Sequence, residues 1–562
     1  MKIYNHFLII VLSFLIVGCG GNVSNDNYSR TYTSEIINSS DNNDKVDGSS
    51  SNYSKTQKVI TIDSNNQIDI ISNVTSSKIV LDIASPKDIY LVVTSHFNNQ
   101  DISIKSSNKN YRLTNIEKEF TKDRGHKLPI NVLKFRENVH NLLHKNPTKN
   151  SFHKYKKTID NTIEGVSKFT FCTDMDNYSN ECTQEVSATA RKVLKNIPTK
   201  WGDKNLIIWV ADDEYISNNN YFGTINQNMV DSLAEHFLQN SDNSHFDDDI
   251  YDWVSNIYGQ EWGSDANEID YNLIPNNDTI EILIYNMHTD GLAGYFWPKD
   301  NFIKSYVPAS NEKIMFYVNS QLYSNNEKET FSTLAHEFQH MIHFYQRTVK
   351  LDIQDPIWFD EMMSEATEDL LAVKLKYKGP RNVPYNDGSA GNPGNTGGRY
   401  PYFNEYNYFS LTNWYDSIIN YYIVSSFGAY LIRNYDGAKL LHKMMYSEYS
   451  GKKALLDASG VKDFNSLLNK WGAGVILSDK DNLDSSKPRY NFGDFIVSSY
   501  GNIYYKIGSI NFFNYIPSPV FKANETLDKD ANLYYKVGEN LYGKINLNIS
   551  LPKGGDITII AK

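Results

Sequence analysis

Between Ser324 and Phe344 the apolar residues Phe331, Leu334, Ala335, Phe338, Met341 and Ile342 recur at offsets of 3, 4, 7, 10 and 11, the spacing of a buried helix face. Ser324 followed by Glu327 reads as a capping box that starts this helix. Inside the apolar run stand His336, Glu337 and His340. Imidazoles at i and i+4 project from one side of a helix. His336 and His340 therefore suit two corners of a zinc tetrahedron, with Glu337 placed to reach a water at the open corner.

A zinc site of this kind needs a third protein ligand, and Ile357-Trp-Phe-Asp-Glu361-Met-Met-Ser-Glu365 supplies candidates. Glu361 follows His340 by 21 residues, enough for one helix to end, the chain to turn and a second helix to present a carboxylate. Glu365 shares the face of Glu361 and suits a supporting role, orienting an imidazole N–H; the spacing alone leaves either acid possible as the ligand.

These segments resemble the gluzincin metallopeptidases, in which HExxH on one helix is completed by a Glu at the start of the next. The closer resemblance is to hyicolysin-like peptidases of the staphylococcal neutral metalloproteinase type. It rests on His336-Glu-Phe-Gln-His340, Trp358 to Met362, Gly294-Tyr-Phe-Trp-Pro and Tyr430-Leu-Ile-Arg-Asn-Tyr435, over roughly residues 160–515. Asp360 stands where that pattern has Asn. The resemblance implies zinc ligation by His336, His340 and Glu361, acid/base work by Glu337 and a peptide or protein substrate. It also implies an oxyanion donor in the following helices, for which Tyr421 and Tyr422 are candidates. A metzincin would need Gly at 343 and His at 346, where this chain has His343 and Gln346. The amine-binding Glu strand of gluzincin aminopeptidases is absent before His336, which favours an endopeptidase.

At the N-terminus, Lys2 precedes apolar residues 7–17, too few to span a bilayer, and Ile16-Val-Gly-Cys19 resembles a bacterial lipobox. The expectation is a signal peptide over 1–18 and lipid on Cys19. That lipid would be the chain's sole membrane attachment, holding it in the cell envelope outside the cytoplasm. Residues 19–56 read as a flexible stalk, since 20 of the 33 residues from Asn22 to Ser54 are Ser, Asn or Asp. Cys172 and Cys182 then read as one short-loop disulfide, with a pair of zinc thiolates as the alternative. A net charge of −11 gives no basic surface for nucleic acid.

Short β-like runs suggest an N-terminal β domain over 57–115 and a C-terminal one over 485–562. Between them, 161–480 forms the catalytic domain, with an expected helix from Gln184 to Lys195, strands at 205–210, 279–285 and 313–318, and then mostly helices. The fold class expected is α+β: a gluzincin-like two-lobed catalytic domain, a mixed-sheet lobe plus a helical lobe carrying HExxH, flanked by two all-β accessory domains. Residues 116–160 hold eleven Lys or Arg against five acids around a helical pattern at 129–145. They read as a basic linker or a removable prosegment. Their histidines, His126, His140, His144 and His153, read as surface residues, and Asp247-Asp-Asp249 with Asp252 as a solvated turn rather than a calcium site. The competing function is a surface-displayed adhesin or host-protein binder with a structural or vestigial zinc site.

Overall fold

The β-branched runs at the two ends of the chain are each other's partners. The protein is seen here as a computed structural model describing residues 57–64, 67–108, 128–143, 159–175, 181–217, 221–239, 247–275, 278–289, 291–415, 417–551 and 555–562. Cys19, the signal segment, the stalk, His126, His144 and His153 lie outside the described residues. Strand Lys78–Ser95 runs antiparallel to Ala531–Ser550, with Lys78 opposite Asn548 and Ser95 opposite Ala531. Asp556–Ala561 and Lys58–Ile62 also pair with Lys78–Ser95, within one seven-stranded sheet. The structure thus differs from the expectation of two separate terminal β domains. Each set of strands leaves backbone groups that the other satisfies, so the two ends close on each other. Within the region expected to hold several short strands, residues 78–95 form one strand running through Pro86. Its partner shifts register between Lys536 and Gly543, where the proline's missing N–H interrupts the ladder.

Alternation along Lys78–Ser95 buries both of its faces. Ile79, Leu81, Ile83 and Leu91 join Leu533, Ile549 and Ile559 in a core within the sheet, whereas Tyr90 and Val92 turn toward the main core. Helix Phe464–Ile476 lies on that second side. At Gly472 the approach is so close that a Cβ would come 2.6 Å from Val92 Cγ1.

The second sheet has six strands in the order Lys168–Cys172, Glu185–Ile197, Lys204–Ala211, Thr279–Tyr285, Ile314–Asn319 and Gly294–Phe296. It is mixed: the two central pairings are parallel and the outer ones antiparallel. The expected helix at 184–195 is the strand Glu185–Ile197. Pairing on both sides and full burial of Ala188 and Ala190 override the helix propensity of its Ala and Lys residues. A disulfide joins Cys172, at the end of the first strand, to Cys182 across a Cα–Cα distance of 5.8 Å. Helices follow the sheet, so the described residues are a mixed α+β fold. The hairpin Ile496–Tyr500 and Ile503–Ile507 is a sheet of its own, not part of the terminal one.

Gly472→Val is expected to lower stability by roughly 1–3 kcal/mol in urea unfolding, because the added methyls overpack the contact with Val92. An unchanged midpoint would show that the helix and the terminal sheet separate freely.

Candidate metal centre and active site

Two helices and the link between them build the site. The first, Glu327–His343, is capped by Asn326, whose Oδ1 accepts from Glu329 N; Ser324 belongs to the preceding helix Ser320–Asn325, which displaces the expected capping box by two residues. Beyond His343 the chain continues as a wider π turn through Lys350. There the buried guanidinium of Arg347 pairs with Asp355 and donates to the carbonyls of Met444 and Ser447 at 3.1 and 2.8 Å. This clamp fixes the turn that leads through Pro356 into the second helix, Ile357–Leu371.

The two helices bring three ligand-type atoms to one point. His336 Nε2 and His340 Nε2 are 3.1 Å apart, and Glu361 Oε2 lies 3.3 and 3.4 Å from them. Zinc bonded tetrahedrally at about 2.0–2.1 Å requires neighbouring ligand atoms roughly 3.3 Å apart, so the donor set and its spacing suit that ion. All three residues are buried. Glu365 Oε1 stands 4.0 Å from His336 Nδ1 on the other side of the ring, away from His340.

A family model, that of peptidase M30, matches residues 187–473, which is half of the chain and includes both helices. The chain belongs to the peptidase M30 family. It is also similar to the neutral metalloprotease ShpI of Staphylococcus hyicus, 28% identical over 206 residues. That alignment covers 34% of this chain and 38% of the relative, so the chain spans well under half the length of the relative it matches.

In this M30 chain the groups behind the three candidate ligands have contacts of their own. Glu368 Oε1 is 2.9 Å from His336 Nδ1, the contact that the spacing assigned to Glu365. Glu368 is held in turn by Ser332 Oγ at 2.8 Å and Arg399 Nη2 at 3.0 Å, while Arg399 Nε lies 2.8 Å from Glu365 Oε2. Glu365 is thus a neighbour of Arg399 more than of the imidazole. Asp360 Oδ2 reaches His340 Nδ1 at 2.9 Å, so the acid before Glu361 touches a candidate ligand directly.

Burial raises the cost of every charge here, and pairing decides which groups stay ionised. Burial opposes protonation of His336, yet its contacts with Glu361 and Glu368 outweigh that and raise its pKa well above 6.5. His340 is raised too, against burial and Arg136, by Asp360 and Glu361. Glu361 is driven well below the carboxylate range: the two imidazoles overcome burial. Glu365 is pushed up to about 8 by burial, which Arg399 only partly offsets.

Glu337 points at the same place from the first helix. Its Oε2 accepts from Phe296 N at 2.7 Å, on the edge strand of the six-stranded sheet, while its Oε1 has no hydrogen-bond partner among the described residues. Arg136 lies against the site, with Nη2 3.3 Å from Glu337 Oε2 and Nη1 3.4 Å from Glu361 Oε1. Of the two candidate tyrosines, Tyr421 feels the site's charge: after burial, Glu361 and Glu337 are among the causes that hold its phenol up. Tyr422 instead stacks on Tyr402 at 4.8 Å. His140 pairs with Asp352 at 2.7 Å, and Asp248, Asp249 and Asp252 gather closely, with the last two buried rather than solvated.

Sequence spacing missed Arg136, Glu368, Asp360 and Arg399. Glu368 alone left a local signal, since Glu361, Glu365 and Glu368 at offsets 4 and 7 share a helix face. Because Glu368 holds His336, Glu368→Gln is expected to weaken zinc binding by roughly 10–100-fold, and Glu365→Gln by less, in competitive chelator titrations. The reverse order would return the orienting role to Glu365. Zinc must also displace protons from imidazoles whose pKa values are raised. Its affinity is therefore expected to keep climbing as pH rises past 6.5, the ordinary His value, and a plateau already reached below that point would contradict the pairing described.

Proposed function

We propose that this M30 peptidase is a zinc-dependent endopeptidase of gluzincin-like, two-lobed form, held outside the cytoplasm in the envelope of a bacterium by lipid on Cys19. The observation that carries the catalytic part is the convergence of His336 Nε2, His340 Nε2 and Glu361 Oε2 beside the carboxylate of Glu337. The likeness to a staphylococcal neutral metalloprotease supports the same reading. Zinc, when bound there, supplies a Lewis acid that polarises the scissile carbonyl and lowers the pKa of water at the open corner.

The chain's own residues do the rest. The Phe296 N–H fixes one oxygen of Glu337, leaving Oε1 to take a proton from the attacking water and hand it to the leaving amine. Tyr421, whose phenol feels the charges of Glu361 and Glu337, is the proposed donor to the oxyanion. Strand Gly294–Phe296 ends its sheet, and Phe296 turns both its N–H and its C=O away from its strand partner toward the site. An extended peptide laid along that edge would be read through its backbone, as strand addition reads peptides elsewhere. The substrate proposed is accordingly an unstructured stretch of protein or a peptide, with no role for nucleic acid.

Glu337→Gln should lower cleavage of an unbiased peptide library by at least roughly 10²–10⁴-fold while retaining one zinc, because a base is not a ligand. Zinc lost in parallel with activity would remove the assignment. Tight protein binding that survives this substitution would favour the adhesin reading. Cys19→Ala should move the protein out of the detergent phase in partitioning. Unchanged partitioning would eliminate the lipid anchor.

A further inference from the structure

Helix Ile130–Asn138 belongs to the most basic stretch of the chain, yet it is seated on the metal centre. Phe135 meets Trp297 and Phe302 edge-on at 6.3 and 6.1 Å, and Val132, Leu133 and Val139 are buried. The segment is tied to both sides of the site. Tyr306 Oη donates to Leu142 O at 2.6 Å, Gln354 Nε2 to Arg136 O at 3.1 Å, and Leu128 N to Tyr421 Oη at 3.5 Å.

From this seat Arg136, a tenth exposed, reaches inward. Nη2 donates to Phe296 O at 2.8 Å and stands 3.3 Å from Glu337 Oε2, while Nη1 stands 3.4 Å from Glu361 Oε1. Phe296 O is the edge carbonyl that a strand-like substrate would pair with, and Glu337 is the base. The contact with Glu361 uses the oxygen opposite the one that faces the histidines, so the guanidinium and a metal ion do not compete for the same atom.

We infer that residues 128–143 are an internal inhibitor: their helix occupies the substrate's path across the metal centre, Arg136 latches it to the edge strand and the base, and the peptidase is latent until the segment withdraws. This rests on the peptidase reading and adds the regulation of that site. A substrate backbone cannot reach Phe296 O while the guanidinium holds it, and Phe135 anchors the latch through contacts independent of its charge. Arg136 is a cation beside a ligand carboxylate. Removing it therefore leaves the site's attraction for zinc no weaker, while taking away cover.

The test uses the mature chain from residue 20, loaded with zinc, as wild type, Arg136→Ala and Phe135→Ala. Two rates are read: cleavage of an unbiased peptide library and extraction of the zinc by 1,10-phenanthroline, beside an equilibrium measurement of zinc affinity. Both variants are expected to raise both rates by about tenfold or more, with zinc affinity undiminished. Lower cleavage in Arg136→Ala would overturn the inference and make Arg136 an aid to the substrate. Extraction unchanged in both variants would overturn it as well. If no form cleaves any peptide, the peptidase reading fails, and the extraction rates alone still decide whether the helix covers the metal centre.

Discussion

One helix face carries three buried acids, Glu361, Glu365 and Glu368, with the partly exposed Asp360 beside them, and the site depends on how their charge is met. Carboxylates withdrawn from water are costly unless each finds a cation or donor, and breaking such a pair costs roughly 3–5 kcal/mol. Here the partners come from three separate parts of the chain: the first helix, with its two imidazoles and Ser332 one turn before His336, then Arg399, and Arg136 from the basic segment. The same need for positive charge that orders this face suits it to a metal ion. Both His336 and His340 are shifted toward their protonated forms, against burial, because the carboxylates around them favour a positive charge, which a divalent ion also supplies.

Much of this was legible because it is local. Helical periodicity placed the His336 helix, i and i+4 spacing placed the histidines on one side, and the count to Glu361 placed the second helix. Strand Thr279–Tyr285 was visible as a continuous apolar run, as suits a strand paired on both sides in parallel. The failures are the non-local features. Glu185–Ile197 reads as a helix until its two neighbours are known, since Ala and Lys carry no strand signal of their own. Arg136 meets Glu337 and Glu361 across 201 and 225 residues, and nothing in the spacing of a basic segment announces which acids it will find. The exchange of Glu365 for Glu368 is subtler. Both acids lie on the correct face, and the choice is made by Arg399 and Ser332, which draw Glu368 to the ring and Glu365 to the guanidinium.

The terminal sheet shows the same limit at the scale of the fold. Short β-like runs at each end look like two modules because each is locally complete as a set of strands. Only the register between Lys78–Ser95 and Ala531–Ser550 reveals that neither set is complete as a sheet. Its second face, through Tyr90 and Val92, then packs into the core that also holds the site's helices.

That pairing has a consequence for the order in which the molecule can be assembled. Strand Lys78–Ser95 emerges in synthesis long before its partners Ala531–Ser550 and Asp556–Ala561. Until they arrive, a long apolar strand waits with its ladder groups unmet, the kind of edge that invites pairing with the wrong chain. Contacts of such sequence separation also form slowly. Closure of the sheet is therefore a checkpoint on synthesis from the first of these strands to its partners: a product cut short before Ala531 keeps the sticky early strand without them.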